Sequence, residues 1–284
     1  MTDWKQETEN LRQQGSSWTE IAEAMQNHFP ELNRQQVLER VRGHIRRANN
    51  KTSKVVGKDK VVGVISDLHL PFAHENYIHF LEDTFNKYGV TDIVNIGDLT
   101  DNHAISRWQK STSAHSANME YELARRDIEI YKRAFPELDL VLGNHDLIPQ
   151  RQCATLGIPE QFVTGFHQLW DLPKKWRIHE QIEIDGVMYT HGIGANGKNG
   201  ALDRAISNMQ SSVIGHCHSF GGIQYHSNSK HLIFGMNTGC GIDIDKYAFE
   251  YGKYNKNRET LGCGIVFNES NAIFVPMDNR YFRK

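Results

Sequence analysis

Val61-Val62-Gly63-Val64-Ile65-Ser66-Asp67-Leu68-His69 is an apolar run that ends in an aspartate and a histidine two residues apart. Such a run reads as a buried strand, and α/β folds commonly build their sites at the carboxyl ends of buried strands. The arrangement recurs downstream. Asp92–Ile96 leads into Gly97-Asp98, Leu138–Leu142 into Gly143-Asn144-His145-Asp146, Val187–Thr190 into His191, and Ser212–Ile214 into Gly215-His216-Cys217-His218. Helical patterns over His74–Tyr88 and Asn118–Ala134 separate the first three strands, and Leu232–Met236, Gly262–Phe267 and Ala272–Pro276 read as short strands near the end. A βαβ beginning with a β-rich finish predicts two sheets packed together and flanked by helices.

The polar clusters at these strand ends supply Asp67, His69, Asp98, Asp101, Asn144, His145, Asp146, His191, His216 and His218. Carboxylates, imidazoles and an amide oxygen suit borderline-hard divalent ions. One ion needs fewer ligands than this, so two ions roughly 3.5–4 Å apart are expected, with a carboxylate between them. Such a pair binds a phosphoryl group, lowers the pKa of a bridging water and steadies the charge of an in-line displacement. Asp-x-His alone is common by chance, and a lone histidine is more often structural. Gly-Asn-His-Asp and Gly-His-x-His are rarer, and five clusters in order, each after a strand, leave little room for coincidence.

Asp67-Leu68-His69, Gly97-Asp98-Leu99-Thr100-Asp101, Gly143-Asn144-His145-Asp146, His191 and Gly215-His216-Cys217-His218 together resemble the calcineurin-like metallophosphoesterase superfamily, over roughly residues 60–276. The resemblance implies a four-layer α/β/β/α sandwich with a dinuclear site on the strand ends. It implies that Asp67, His69, Asp98 and His218 hold one metal, and that Asp98, Asn144, His191 and His216 hold the other, with Asp98 bridging. His145 matches the catalytic histidine of the family, and Asp146 is expected to orient it. Mn²⁺ is the expected ion, with Fe²⁺, Zn²⁺, Ni²⁺, Co²⁺ or Mg²⁺ as alternatives. Asn102-His103-Ala104 follows Asp101 where protein phosphatases of the superfamily carry an Arg-Gly pair, which disfavours a Ser/Thr protein phosphatase. The second and third blocks stand closer to SbcD-type repair nucleases and the broad phosphodiesterase groups. Cys217 reads as a small buried side chain between two ligands.

The first sixty residues differ in character. Asp3–Gln14, a segment opened by Ser16 or Ser17 with Trp18, Ile21, Ala22, Met25 and Phe29 on one face, and a segment capped by Asn33 with Val37, Leu38, Val41 and Ile45 on its core side predict three short helices. They resemble a helix-turn-helix unit. Residues 1–33 carry Lys5 and Arg12 against six acids, whereas residues 34–60 carry nine Lys/Arg against Glu39 and Asp59. That asymmetry points to phosphate contact, with Arg34, Arg42, Arg46 and Arg47 as the candidates and DNA as the expected partner. A solvated helix face with a basic linker, or a protein-binding module, is the alternative. The expected boundaries are a helical domain over 1–48, a basic linker over 49–59 and a catalytic domain over 60–284. This pairing resembles arrangements in bacteriophage genomes.

Composition sets outer limits. The chain has 284 residues, 39% hydrophobic and 23% charged, with a net charge of −2. No stretch reaches the roughly 18 apolar residues of a membrane span, and the polar start is not a secretory signal. Cys153, Cys217, Cys240 and Cys263 show no paired spacing, which suggests reduced thiols and a cytoplasmic setting. Oligomeric state is not legible.

Weaker candidates for substrate contact are His103 and Arg107 after the second block, and Lys198 in the Gly-rich stretch after His191. Tyr247, Phe249, Tyr251 and Tyr254 among lysines resemble a stacking platform for single strands, though period-2 aromatics are more often a packed strand face. The expected function is phosphoester hydrolysis, foremost a phosphodiesterase or nuclease acting on DNA. The alternatives are a phosphomonoesterase, a nucleotide, cyclic-nucleotide or 3′-end phosphatase on the same site, and a DNA-binding regulator with an idle metal fold.

Overall fold

A computed structural model describes residues 4–14, 16–52, 60–107, 110, 114–195, 197–243, 246, 258–278 and 281, with the backbone alone at 13, 43, 45–52 and 160. The chain divides into two compact units, residues 1–58 and 59–284. Among the described residues, no helix is long and apolar enough to cross a membrane.

The first unit has three α-helices, α1 (Trp4–Gln13), α2 (Trp18–Met25) and α3 (Arg34–Thr52), with a short 3₁₀ turn at Gln26–His28. Ser17 opens α2 through a capping box: its side chain accepts from Glu20 N while Glu20 accepts from Ser17 N. Asn33 and Gln36 exchange the same pair of bonds at the start of α3, at 2.9 and 3.0 Å. Trp18, Ile21, Ala22, Met25, Phe29, Val37 and Val41 form the core, as the helical periodicity predicts. Ile45 lies outside the described side chains. The α2–α3 connection, Gln26–Asn33, exceeds the 3–4 residues of a helix-turn-helix turn. The third helix also continues to Thr52, into the stretch expected to begin a linker at 49; residues 53–59 lie outside the described set.

The second unit is a pair of sheets. Six strands, β1 (Val62–Ile65), β2 (Asp92–Asn95), β3 (Leu138–Val141), β4 (Trp176–His179), β10 (Gly262–Asn268) and β11 (Asn271–Pro276), form one sheet in the order β11-β10-β1-β2-β3-β4. Five strands, β5 (Ile182–Ile184), β6 (Val187–Thr190), β7 (Ser211–Ile214), β8 (Gly221–Ser227) and β9 (Leu232–Thr238), form the other in the order β5-β6-β7-β9-β8. The pleat of β1 explains why its sequence is apolar throughout. Val62 and Val64 pack with Val94, Val187, Tyr189, Val213, Phe234 and Met236 between the sheets. Ile65 points the other way, into a core with Leu81 of α4 (Tyr77–Tyr88) and Ile128 of α5 (Ala117–Ala134). On the far side α8 (Gly200–Asn208) lies on β7 and β9, so closely that a Cβ at Gly235 would collide with the backbone of Ala201. The result is the expected four-layer α/β/β/α arrangement. The short helices α6 (Ile148–Thr155) and α7 (Phe166–Leu169) fill the long β3–β4 connection.

This topology places the site. β1, β2 and β3 run parallel and adjacent, as do β6 and β7 in the second sheet. Their carboxyl ends therefore deliver all five polar clusters to one edge of the sandwich.

Candidate metal centre

The loops leaving the parallel strands are stitched together by their backbones. Asp67 N donates to Gly97 O at 3.0 Å, His69 N to Asp98 O at 2.9 Å, and Gly215 N to His191 O at 3.1 Å. The glycines in the motifs mark where these loops touch. A Cβ on Gly143 would strike the Asp98 carboxylate, and one on Gly215 would strike Ser66 and Asp67. Four of the expected ligands sit at left-handed backbone angles unusual for side-chain-bearing residues: Asp67 (φ 51°), His69 (47°), Asp98 (50°) and His216 (66°). Each such residue costs on the order of 1 kcal/mol, and clusters of them accompany functional sites.

Two groups of ligand atoms result. In the first, His218 Nε2 lies 3.0 Å from Asp67 Oδ1 and 3.2 Å from His69 Nε2, and His69 Nε2 lies 3.5 Å from Asp98 Oδ2. In the second, His191 Nε2 lies 3.2 Å from Asp98 Oδ2, 3.2 Å from His216 Nδ1 and 2.9 Å from Asn144 Oδ1. The same oxygen, Asp98 Oδ2, faces both. Its partner Oδ1 accepts from His145 N at 2.7 Å, which fixes the carboxylate between the groups. All seven residues expected as ligands are thus brought together in the two expected sets. Asp67, His69, Asp98 and His191 are buried, whereas Asn144, His216 and His218 are half-buried and form the open side.

Hydrogen bonds on the far side of each ring set the direction of the lone pairs. His69 Nδ1 faces Asp101 Oδ1 at 2.6 Å, and His191 Nδ1 faces Ile96 O at 3.0 Å. Both acceptors require the proton on Nδ1, so each Nε2 lone pair points at carboxylate oxygens. Lone pairs converging in this way repel one another unless a cation lies among them. Ligand bonds of roughly 2.1 Å at angles of 90–110° put neighbouring donor atoms roughly 3.0–3.4 Å apart, close to the distances in both groups, which run from 2.9 Å for His191 Nε2 and Asn144 Oδ1 to 3.8 Å for His69 Nε2 and Asp67 Oδ1. The residues therefore fit two divalent ions.

Electrostatics carries the same message. Burial opposes charge on Asp67, yet His218 and His69 hold its carboxylate well below the usual range. Burial likewise opposes charge on His191, but Asp98 raises it to about 9. The site demands positive charge that the protein alone supplies only by protonating its ligands. His216 moves the other way, lowered by burial and by His191, and stays a neutral donor.

His145 stands at the rim of this centre, its ring 4.5 Å from that of His69. Its Nδ1 lies 2.7 Å from Asp101 O and 3.1 Å from Asp101 Oδ1. Asp101 therefore holds both His69 and His145 from behind, a role its place in the motif does not reveal. Asp146 is expected from the sequence to orient His145 and does not. Its buried carboxylate accepts from Gly143 N (2.9 Å), Leu99 N (3.3 Å), Thr100 N (2.9 Å) and Thr100 Oγ1 (3.0 Å). It ties the second and third loops together. The reason is geometric: the turn after β3 sends adjacent side chains in different directions, and Asp146 points down among backbone donors.

The remaining candidates are dispersed. His103 is buried in a 3₁₀ turn, its pKa lowered by that burial. Arg107 and Lys198 are exposed on loops. Cys217 joins neither ligand group and donates to Ala195 O at 3.7 Å. Arg34 pairs with Glu23, and the Arg42 guanidinium lies 5.5 Å from the ring centre of Trp18. The side chains of Arg46 and Arg47, and all of Tyr247, Phe249, Tyr251 and Tyr254, lie outside the described residues.

No protein-family model and no curated protein matches the chain. Among solved structures it is similar to a metallophosphoesterase from Sphaerobacter thermophilus, with 16% identity, 78% of this chain and 89% of that one covered, and a TM-score of 0.42. It is similar to Vacuolar Protein Sorting 29 from Cryptosporidium parvum, with 11% identity, 78% and 93% covered, and a TM-score of 0.42. It is also similar to the nuclease MPE of Pseudomonas putida, with 11% identity, 76% and 87% covered, and a TM-score of 0.32.

Proposed function

We propose that the chain is a metal-dependent phosphoester hydrolase, and that its substrate is a phosphodiester of DNA. The observation that carries the first part is the sharing of Asp98 Oδ2 between two groups of convergent lone pairs, 3.5 Å from His69 Nε2 and 3.2 Å from His191 Nε2. Two divalent ions bound there would polarise a phosphoryl oxygen and bring the pKa of bound water toward neutrality.

The protein's own groups do the rest. Asp67 and Asp98 stay ionised and neutralise the centre, and Asn144 contributes a neutral oxygen on the open side. His145 is held by Asp101 through Nδ1, so Nε2 is the nitrogen that carries a proton toward the leaving oxygen. Burial and the neighbouring His69 disfavour its charged form, but Asp101 and Asp98 outweigh them and raise its pKa above the usual histidine value. A histidine whose charged form is favoured in this way suits a general acid.

DNA as the substrate is supported by the net charge of +7 over residues 34–60, from nine basic and two acidic residues. The test is metal content by mass spectrometry beside turnover of bis-p-nitrophenyl phosphate, p-nitrophenyl phosphate and labelled single- and double-stranded DNA, across Mn²⁺, Mg²⁺, Co²⁺ and Ni²⁺. Metal-dependent cleavage of the diester and of DNA is expected. Turnover of the monoester alone would assign a phosphatase, and bound metal without turnover of any ester would sink the enzymatic reading.

A further inference from the structure

In the proposed reaction His145 gives its proton to the leaving oxygen, so the segments beside His145 face the leaving group. Two segments flank it, residues 102–119 after the second motif and residues 147–159 after the third. They carry Arg107, Lys110 and Arg151, and neither contains an Asp or a Glu. The two segments meet, since Gln152 Nε2 of α6 donates to Ile105 O at 2.8 Å. Both are tied to the turn that bears the proposed acid. Asn102 Nδ2 donates to His145 O at 3.0 Å, and Arg151 Nη2 donates to the backbone oxygen of the ligand Asn144.

The way these cations are held leaves their charge uncompensated. Elsewhere in the same unit Arg177 binds Asp139, Lys175 binds Glu137 and Lys132 binds Glu129. Among the described residues, Arg151 bonds to the carbonyls of Asn144 and Leu147, and Lys110 to that of Ser106 at 2.8 Å. A carbonyl fixes a side chain without cancelling its charge. A guanidinium has five N–H donors, and Arg151 spends two of them on the turn, which leaves the others at an exposed surface.

Lys110 also stands within electrostatic reach of the centre. Burial lowers the pKa of His103 against the pull of Asp101, and the charges of Lys110 and His145 add to the lowering. Two divalent ions make this edge of the sandwich positive already, so further cations beside them are unfavourable until anions arrive. The phosphoryl group under attack occupies the ions themselves. The cations of the rim are left for another anion, on the side of the leaving group.

The geometry points to Arg151 and Lys110 as a subsite for a second phosphate, carried by the leaving group of the substrate. The inference rests on the phosphoesterase reading and narrows its substrate to esters whose leaving group is itself phosphorylated. A nucleic-acid strand offers such a phosphate on the neighbouring nucleotide. A dinucleoside polyphosphate offers it along its own chain of phosphates.

The test uses the full-length metal-loaded protein and compares the dithymidine dinucleotide TpT with pTpT and TpTp, whose added phosphates lie on opposite nucleosides. Chromatography of the products identifies which nucleoside left. The readout is kcat/KM with the phosphate on the leaving nucleoside, divided by kcat/KM for TpT. In the wild type this ratio should exceed about tenfold, the size expected of hydrogen bonds to a charged group. A phosphate on the retained nucleoside should add less. Arg151→Gln and Lys110→Gln should each lower the ratio several-fold, and Arg151→Lys, which keeps the charge, should retain part of it. Each variant is divided by its own rate on TpT, so a general loss from disturbing the Asn144 turn cancels. A dinucleoside tetraphosphate, divided by TpT in the same way, forms the second arm. A ratio that falls in the Gln variants for the dinucleotides assigns a strand, and one that falls for the tetraphosphate alone assigns a free nucleotide; either upholds the subsite. Ratios near unity in both arms, equal gains from a phosphate on either nucleoside, or ratios untouched by both Gln variants overturn it. If no ester is turned over, the phosphoesterase reading fails separately, and calorimetry with thymidine 3′,5′-bisphosphate decides. Binding weakened about tenfold in Arg151→Gln upholds the phosphate subsite, and equal or absent binding overturns it.

Discussion

Asp101 is the carboxylate that faces His145 Nδ1, at 3.1 Å, and the same oxygen lies 2.6 Å from His69 Nδ1. One side chain thus sets the tautomer of a metal ligand and the direction of the proposed acid. Its burial resists ionisation, but His145 and His69 keep it charged, below the usual carboxylate range.

Asp101→Asn removes that charge while preserving shape. It should lower kcat on bis-p-nitrophenyl phosphate by roughly 10–100-fold and weaken metal binding, as loss of partners behind metal-bound histidines does. Asp146→Asn should act differently, because its carboxylate serves four donors rather than a histidine. A thermal melt should show a loss of on the order of 2–3 kcal/mol. Equal effects of the two changes on kcat at unchanged stability would restore Asp146 to the role the sequence suggests for it.

Asp98 serves both ligand groups and His218 serves one, so the two should differ in metal stoichiometry. With about two ions bound in the wild type, Asp98→Ala should lose both, and His218→Ala should keep one. Inductively coupled plasma mass spectrometry after desalting reads this directly. Retention of both ions in Asp98→Ala would show that no ligand is shared.

Removal of metal should also destabilise the second unit, because the convergent donors then repel. A ligand at a hundred times its Kd stabilises by about 2.7 kcal/mol. For a domain of this size that corresponds to a fall of roughly 5–10 °C in Tm on adding a chelator. Scanning fluorimetry with and without Mn²⁺ tests it. An unchanged Tm would mean that the donors are satisfied without an ion.

Much of this site was legible because its chemistry is local in sequence and repeated. Asp67 and His218, 151 positions apart, meet at 3.0 Å, since each follows a strand whose apolar run is readable. What was not legible depends on where adjacent side chains turn. Asp101 and Asp146 are both carboxylates beside their motifs, and only the backbone turns decide which one faces a histidine. Strand β8 was missed because an exposed edge strand with two glycines and alternating polar residues has no apolar run to announce it. Helix α8 was missed because it starts inside a Gly-rich stretch.

The basic third helix invites a test of delivery. Removal of residues 1–58, which form one compact unit, should leave turnover of bis-p-nitrophenyl phosphate intact and weaken DNA turnover. The salt slope of DNA affinity should shrink with it, by about 0.9 for each phosphate that the unit neutralises. Arg34 and Arg42 already have partners within the unit, Glu23 and the Trp18 ring. Their substitution is expected to cost stability as well as affinity. Unaltered DNA turnover after the deletion would assign the unit to another partner.

Glu120 gives a pH dependence of defined sign. Burial chiefly, with Asp101 adding to it, pushes its carboxyl up from 4.5 to about 7 in the folded chain. Below pH 4.5 the folded and unfolded chains both hold the proton. Between 4.5 and 7 the unfolded chain has released it and the folded chain has not, so stability falls as pH rises through this window and levels off above it. The loss should be on the order of 3 kcal/mol, several degrees in Tm. Glu120→Gln has no proton to release, so the melting-temperature difference between wild type and variant should move in favour of the variant from pH 4.5 to 7. Both proteins share every other titrating group, including the histidines of the metal centre, and those contributions cancel in the comparison. A difference that stays flat across the window would mean that Glu120 is ionised in the folded protein, with its second oxygen satisfied.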